Sequence, residues 1–265
     1  MLKVAVTGCA GRMGREITDL VSRDEDMKIA GMVERKGHPL VGQDLIGPDM
    51  AGNPGPIITD NLREIIGGVD VVIDFTTPES SMEHYKIVAG AGKGIVIGTT
   101  GFSAEQLKTM ENYRDKAACV RSPNMSIGVN VMFKLVSEAA KMLANYDMEI
   151  TEIHHKLKKD APSGTAMRLA EILARETSRD LSKVGVYGRR GMVGERKPGE
   201  IGVMSLRMSD VVGEHTVYFG GHGERLEITH RASSRMNFAA GAVLAAGWLA
   251  GKKKGMYDMQ DVLGL

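Results

Sequence analysis

The sequence predicts an α/β protein built on a parallel sheet, and three observations lead there. Apolar runs of strand length recur through the first half, at residues 3–7, 27–33, 69–75 and 94–98, and each is followed by turn residues and then a helical pattern. Glycine supplies 33 of 265 residues, about 12% against a usual 7%, and many fall just past the apolar runs, where a strand hands over to a turn. These glycines keep no fixed period, which removes collagen and repeat arrays.

Composition narrows the function classes. Hydrophobic residues at 43% and charged residues at 25% are enough for a sizeable core and a solvated surface. Lys and Arg number 34 against 33 Asp and Glu, and aromatics are only 5%, so neither the basic field nor the stacking platforms of a nucleic-acid binder is present. The longest apolar stretch, 238–251, is interrupted by Gly241, Gly247 and Gly251 and is shorter than the roughly 18 to 20 residues that cross a bilayer. The N-terminus runs directly into a strand pattern without a leader-like segment, so a cytoplasmic protein without nucleic-acid or membrane partners is expected. Cys9 and Cys119 lie far apart, outside any CxxC pattern, and read as reduced thiols.

The first run, 3–7, leads into Gly8-Cys-Ala-Gly11-Arg-Met-Gly14 and a helix. In such a strand-to-helix loop Gly8 permits the tight turn, Gly11 lets backbone approach a pyrophosphate, and Gly14 lets helix pack on strand. A dinucleotide is expected there, although the GxxGxxG spacing departs from the usual GxGxxG. The second run ends in Glu34, 20 positions after Gly14, where a carboxylate accepts hydrogen bonds from the adenine ribose and favours NAD. Arg35 and Lys36 follow at once and suit a 2′-phosphate, which favours NADP. Glu then Arg predicts use of both NADH and NADPH; read alone, the pair is also an ordinary solvated loop end. The third run, 69–75, leads to Thr77-Pro78, a helix start with proline in the first turn. The fourth ends in Gly98-Thr99-Thr100-Gly101, at the sheet edge where ligands bind, so Gly98, Thr99 and Thr100 are expected near the nicotinamide half, although such a turn read alone is more often only a turn. Ser103 and Gln106 form a capping box that opens a helix over 104–115.

The pattern changes after about residue 125. Residues 129–146 carry an apolar stripe in Val131, Leu135, Ala139 and Met142, which reads as a long amphipathic connector. A strand at 148–156, a helix at 165–176 and half-buried strands at 202–208, 215–220 and 224–230 follow, with a Gly- and Arg-rich stretch at 185–202 between them. The apolar final helix, 236–251, is expected to pack back on the first domain. The domains are therefore 1–125 with 236–265, and 126–235.

Chemistry concentrates at 152–166, where His154, His155, Lys156, Lys158, Lys159 and a helix start at Pro162-Ser163-Gly164-Thr165 occur together. The first turn of that helix offers backbone N–H groups to an anion such as a carboxylate. Adjacent histidines on a strand point to opposite faces, so a shared metal is not expected. In isolation such residues are more often surface groups. Beside a dinucleotide fold they fit a hydride transfer that needs a proton donor. The run 224–235, with Arg231 and Arg235, reads mostly as the charged outer face of a strand.

These residues resemble a known family. The segments 6–15, 72–76, 96–102, 154–165 and 212–230 together look like 4-hydroxy-tetrahydrodipicolinate reductase, the older dihydrodipicolinate reductase, from the first strand to the last helix. The resemblance implies a Rossmann-type dinucleotide domain plus an α+β domain with a mixed sheet for substrate binding and oligomerisation. It implies NADH- or NADPH-dependent reduction of a dicarboxylate ring in diaminopimelate and lysine synthesis, by a homotetramer. Carried over, Gly8, Cys9, Ala10, Gly11, Arg12 and Met13 hold the pyrophosphate, Glu34 the ribose and Arg35 the 2′-phosphate. Gly98, Thr99 and Thr100, with Ser122, Pro123, Asn124 and Met125, flank the nicotinamide. His154 is implied as proton donor and Lys158 as second acid or substrate clamp, while His155, Gly164 and Thr165 bind the substrate. Met125 stands where many members carry Phe, which alters the apolar contact expected there. Two rivals remain: another NAD(P)-dependent dehydrogenase of the same layout, or an NAD(P)-binding protein without chemistry.

Overall fold

The first apolar run becomes β1 (Leu2–Thr7), whose Val4, Ala5 and Val6 are wholly buried because helices cover both faces of the sheet it belongs to. A computed structural model describes residues 1–47 and 54–265. They form two units, one of Met1–Ile127 with Met236–Gly264, the other of Gly128–Arg235 with Leu265.

In the first unit β1 is followed by α1 (Arg12–Ser22), β2 (Met27–Val33), β3 (Ile58–Thr59), α2 (Leu62–Ile65), β4 (Val71–Asp74), α3 (Pro78–Ala91), β5 (Gly94–Ile97), α4 (Ala104–Glu111) and β6 (Ala118–Arg121). Thr77 caps α3 with Pro78 in its first turn, and Ser103 and Gln106 close a capping box on α4. The helix expected over 104–115 stops at Glu111, because Asn112 ends it and the chain turns towards β6.

The chain then enters the second unit through α5 (Ile127–Met142) and continues with β7 (Asp147–His154), α6 (Gly164–Glu176), α7 (Leu181–Val184), β8 (Gly185–Val186), β9 (Ile201–Arg207), β10 (Gly213–Gly221) and β11 (Glu224–Ala232). It returns to the first unit with α8 (Met236–Leu249), β12 (Gly255–Tyr257) and α9 (Met259–Leu263). No helix among the described residues is long and apolar enough to cross a membrane.

Seven parallel strands order as β12-β6-β5-β4-β1-β2-β3. Strand alternation separates two cores. Val4, Val6, Ile73, Val96 and Val120 pack with α1 and α8, while Ala5, Val72, Ile95 and Cys119 pack with Met82, Tyr85 and Val88 of α3. The small residues of α8 allow close approach, and a Cβ on Gly241 would stand 1.8 Å from the carbonyl oxygen of Met125.

The second unit is a mixed sheet ordered β11-β10-β7-β9-β8, with β7 parallel to β9 and antiparallel to β10. Its core joins α5 and α6 to Met148, Ile150, Val203, Val217 and Phe219. Here the expected stripe on α5 is corrected. Val129, Met132, Phe133, Val136 and Ala140 face the core with Ala139, whereas Val131, Leu135 and Met142 are exposed. The helix is apolar on two sides, and only contact with the sheet selects between them. β11 is likewise exposed rather than half-buried, as the edge strand of its sheet.

Candidate functional site

The strand order reverses between β1 and β4, which are neighbours although the chain leaves them in opposite directions across the sheet. In open α/β sheets that switch point, at the C-terminal edge, is where ligands bind. Gly8 lies there with φ +65°, and a Cβ on it would come within 3.0 Å of Thr76 Cγ2 and 3.2 Å of the Phe75 carbonyl oxygen. Gly11 is the N-cap of α1 and supplies no side-chain cap, so the first-turn N–H groups, among them those of Arg12 and Met13, are not covered by a capping side chain. A Cβ on Gly14 would sit 2.1 Å from the Gly8 carbonyl oxygen, so only glycine lets α1 start this close to the loop. The groove fits a dinucleotide diphosphate: bare backbone, an open helix start and no acidic side chain in the first turn.

Glu34 follows β2, and its carboxylate accepts the N–H groups of Ala10 at 3.1 Å and Arg35 at 2.9 Å. This ties the acidic residue to the glycine loop. The Arg35 side chain is exposed beside it. Cys9 donates its N–H to Val33 at 3.2 Å; burial, reinforced by Glu34, pushes its thiol up to about 11, so Cys9 offers a ligand backbone only. At the end of β5 a Cβ on Gly98 would overlap the Phe75 ring; Thr99 is buried and Thr100 exposed. After β6, Ser122 Oγ donates to the Asn124 carbonyl at 2.9 Å, Asn124 Oδ1 accepts the Ser126 N–H at 2.8 Å, and Pro123 is exposed. The Met125 side chain is buried in the core with Val120 and Ala239 and does not present the apolar surface expected of it.

In the second unit β7 places Met148, Ile150, Glu152 and His154 on one side, so a carboxylate occupies the third of these inward positions. Glu152 is fully buried, and donors surround it. His154 Nδ1 lies 2.6 Å from Oε2, Arg207 spans both oxygens at 2.8 and 2.9 Å, and the Ser163 N–H donates to Oε1 at 3.1 Å. Burial opposes ionisation, but the hydrogen bonds from His154, Arg207 and Ser205 prevail and hold the carboxyl at about 2. An ionised Glu152 makes Nδ1 of His154 the donor and leaves Nε2 as the working nitrogen. A Cβ on Gly213 would lie 3.0 Å from that Nε2, so the glycine keeps the space beside it clear.

Ser163 caps α6 by accepting the Ala166 N–H at 3.1 Å, and its hydroxyl is 3.0 Å from His215 Nε2. Burial and the neighbouring His154 push His215 down to about 3, so it is neutral and shares one hydrogen bond with the Ser163 hydroxyl. Its ring meets His154 edge-on at 5.2 Å. Lys158 is paired with Asp160 at 2.9 and 3.0 Å, and the Asp160 carbonyl accepts Arg207 at 2.7 Å. His155 Nδ1 is buried without a hydrogen-bond partner, an acceptor or donor left for a ligand. Gly164 opens α6 with nothing within 4 Å of where its Cβ would stand, next to Thr165.

The structure thus gathers His154, Lys158, His155, Gly164 and Thr165 around the β7 end and the α6 start. Sequence reasoning missed Glu152, Arg207, His215 and Gly213. Glu152 carried a signal, standing two positions before His154 on a strand; Arg207 lies opposite His154 on β9 and is visible only through pairing.

Residues 2–125 match the family described as dihydrodipicolinate reductase, N-terminus, and residues 128–263 match dihydrodipicolinate reductase, C-terminus. The chain is 50% identical to the 4-hydroxy-tetrahydrodipicolinate reductase of Syntrophus aciditrophicus (strain SB), over all of this chain and 99% of the relative. It is 52% identical to the enzyme of the same name from Anaeromyxobacter dehalogenans (strain 2CP-1 / ATCC BAA-258), over 100% and 98%. The dipicolinate-bound dihydrodipicolinate reductase from Paenisporosarcina sp. TG-14 superposes with a TM-score of 0.76 at 28% identity, covering 98% of each chain.

Proposed function

The chain belongs to the dihydrodipicolinate reductase family, and from that premise we infer that it reduces 4-hydroxy-tetrahydrodipicolinate to tetrahydrodipicolinate with loss of water, using NADH or NADPH, in diaminopimelate and lysine synthesis. The observation that carries the chemistry is the buried Glu152 carboxylate 2.6 Å from Nδ1 of His154. It fixes Nδ1 as the donor to the carboxylate and leaves Nε2 as the nitrogen that exchanges a proton with a ligand, the position a general acid needs.

When bound, the reduced nicotinamide supplies a hydride to the unsaturated ring. The loop of Gly8, Cys9, Ala10, Gly11, Arg12 and Met13 holds the diphosphate, Glu34 the adenine ribose and Arg35 a 2′-phosphate. Gly98, Thr99 and Thr100, and Ser122, Pro123, Asn124 and Met125, hold the nicotinamide end, with Met125 contributing backbone. His154 donates the proton. Lys158 exchanges Asp160 for a substrate carboxylate and serves as clamp or second acid. His155, Gly164 and Thr165 bind the dicarboxylate, the orphaned His155 nitrogen and the α6 start both suiting an anion. The resemblance adds a homotetramer, and the composition and N-terminal pattern add a cytoplasmic setting without nucleic-acid or membrane partners.

The test supplies pyruvate, aspartate semialdehyde and the synthase that condenses them, and follows NADH or NADPH absorbance. Oxidation that needs all three additions supports the assignment. Absence of oxidation with either cofactor would overturn it, and oxidation with aspartate semialdehyde alone would point to a different dehydrogenase.

A further inference from the structure

We propose that Asp74 is a positioning residue for the cofactor: its carboxylate draws the ends of β1, β4 and β5 and the first turns of α3 onto one point, and so sets the backbone that carries the nicotinamide half. This rests on the reading of Gly98, Thr99 and Thr100 as cofactor contacts.

Asp74 is the last residue of β4 and is fully buried. Its Oδ1 accepts Thr99 Oγ1 at 2.9 Å, Thr76 Oγ1 at 3.0 Å and the Ser81 hydroxyl; its Oδ2 accepts Thr7 Oγ1 at 2.7 Å and lies 2.6 Å from His84 Nδ1. Ser81 and His84 are three apart on α3 and present one face to it. Burial is the largest influence and disfavours the charge, but His84, Ser81 and Thr7 together outweigh it and hold the carboxyl below the usual carboxylate range.

Five donors on one carboxylate have a geometric consequence. The hydroxyls meet one another as well as Asp74: Ser81 Oγ lies 2.7 Å from Thr99 Oγ1, and Thr99 Oγ1 accepts the Thr76 N–H at 2.8 Å. The segments after β4 and β5 are thereby stitched together.

The choice of residues argues for more than a strut. A buried charge is a costly way to stabilise a core, because packed apolar residues serve as well or better. Thr7 immediately precedes Gly8, Thr76 packs against Gly8, and Thr99 follows Gly98. The network therefore touches the backbone that faces the dinucleotide at the switch point, and positioning errors of about 1 Å in such segments cost up to roughly a hundredfold in rate.

The experiment measures Kd and KM for NADH and NADPH, KM for the dicarboxylate substrate, kcat and the melting temperature in the full chain. Asp74→Asn is expected to weaken both cofactors by the same factor, roughly tenfold or more, because it loses an acceptor and gains a misplaced donor. Substrate KM is expected to stay within about twofold, since the residues read as substrate contacts, His155, Gly164 and Thr165, belong to the second unit and not to this network. Ser81→Ala and His84→Ala are expected to shift cofactor affinity in the same direction. His84→Asn restores it, because its amide can donate near the position of Nδ1. If D74N does not fold, these three variants decide. Unchanged cofactor Kd and KM with only a lower melting temperature would make Asp74 a structural strut and overturn the proposal. Glu34→Ala is the control for the underlying reading: if it weakens NADH and D74N does not, the proposal alone fails, whereas if neither moves NADH affinity the cofactor-site reading fails.

Discussion

A single hydrogen bond, Glu152 to His154, divides the roles of the two histidines that edge against each other in the second unit. His154 gains a carboxylate; His215 gains only burial and a serine hydroxyl. Replacing His154 with Gln or Lys158 with Ala is expected to lower kcat roughly 100-fold or more, the range of general acid contributions. NADH affinity should persist, and a parallel fall in cofactor binding would show that the roles are misassigned. Glu152→Gln keeps the shape but not the charge, and leaves Arg207 short of a partner. A drop in kcat of at least about tenfold is expected, together with destabilisation of roughly 3 kcal/mol from the unpaired guanidinium. Acid stability follows from the same residues. His215 titrates near 3 in the fold against 6.5 when free, so its neutral form is favoured by folding. Its contribution is complete above 6.5 and is lost as pH falls towards 3. Glu152, near 2 against 4.5, adds a second loss of the same sign from 4.5 downward. Urea midpoints measured across this range should fall with acidification, and His215→Gln should flatten the part between 6.5 and 4.5. A midpoint that is flat in the native chain would contradict both assignments.

Among the elements, the join of β1 to α1 depends most on one position. A Cβ at Gly14 would collide with the carbonyl oxygen and carbon of Gly8 and with Cys9 Cα, all backbone, so no side chain can move to admit it. Gly14→Ala is therefore expected to push α1 away from the loop, costing about 1–3 kcal/mol by overpacking and weakening NADH about tenfold or more through the displaced N–H groups. Unchanged NADH fluorescence titration in this variant would mean that the helix start does not hold the diphosphate. This join was legible in the sequence because glycine at such a turn has few other uses. So were the caps at Thr77 and Ser103, where local hydrogen bonds decide the structure. The inward face of α5 was not: Val131 and Leu135 fit a helical stripe as well as Val129, Met132 and Val136 do, and only the sheet tells them apart. Nor were β6 and β12, short strands of four and three residues that show themselves only through pairing, β6 with β5 and β12 with β6. The same limit explains the site. His154 and Lys158 declared themselves by type and spacing, while Glu152 needed Arg207, 55 residues away, to make its burial tolerable.

At the scale of the whole molecule, the order of the chain and the order of its cores do not coincide. The first unit begins at Met1, breaks off at Ile127 and is completed only by Met236–Gly264. What returns is not peripheral. Ala239, Ala242, Val243, Ala245, Ala246 and Leu249 of α8, with Met259 and Val262 of α9, are buried in the core formed with Val4, Val6, Ile73 and Val120. Removing them would expose one face of the parallel sheet, and each fully buried aliphatic side chain of Val or Leu size is worth about 1.5–3 kcal/mol. Four of them, Val243, Leu249, Met259 and Val262, are of that size, and their loss, roughly 6–12 kcal/mol, is comparable to the roughly 5–15 kcal/mol by which a domain is stable. Apart from Leu265 the second unit is one continuous segment, and among the described residues its core of α5, α6 and the mixed sheet draws on none outside 128–235. A fragment ending at residue 127 is therefore expected to show no cooperative thermal transition and no NADH binding. A fragment of 128–235 should keep a cooperative transition by circular dichroism. Adding a 236–265 peptide in trans should restore NADH binding to the first fragment, because the missing helix carries core surface rather than cofactor contacts. Cooperative melting of the first fragment alone would show that α8 is not needed for its core, and failure of the second would show that its fold depends on the rest of the chain.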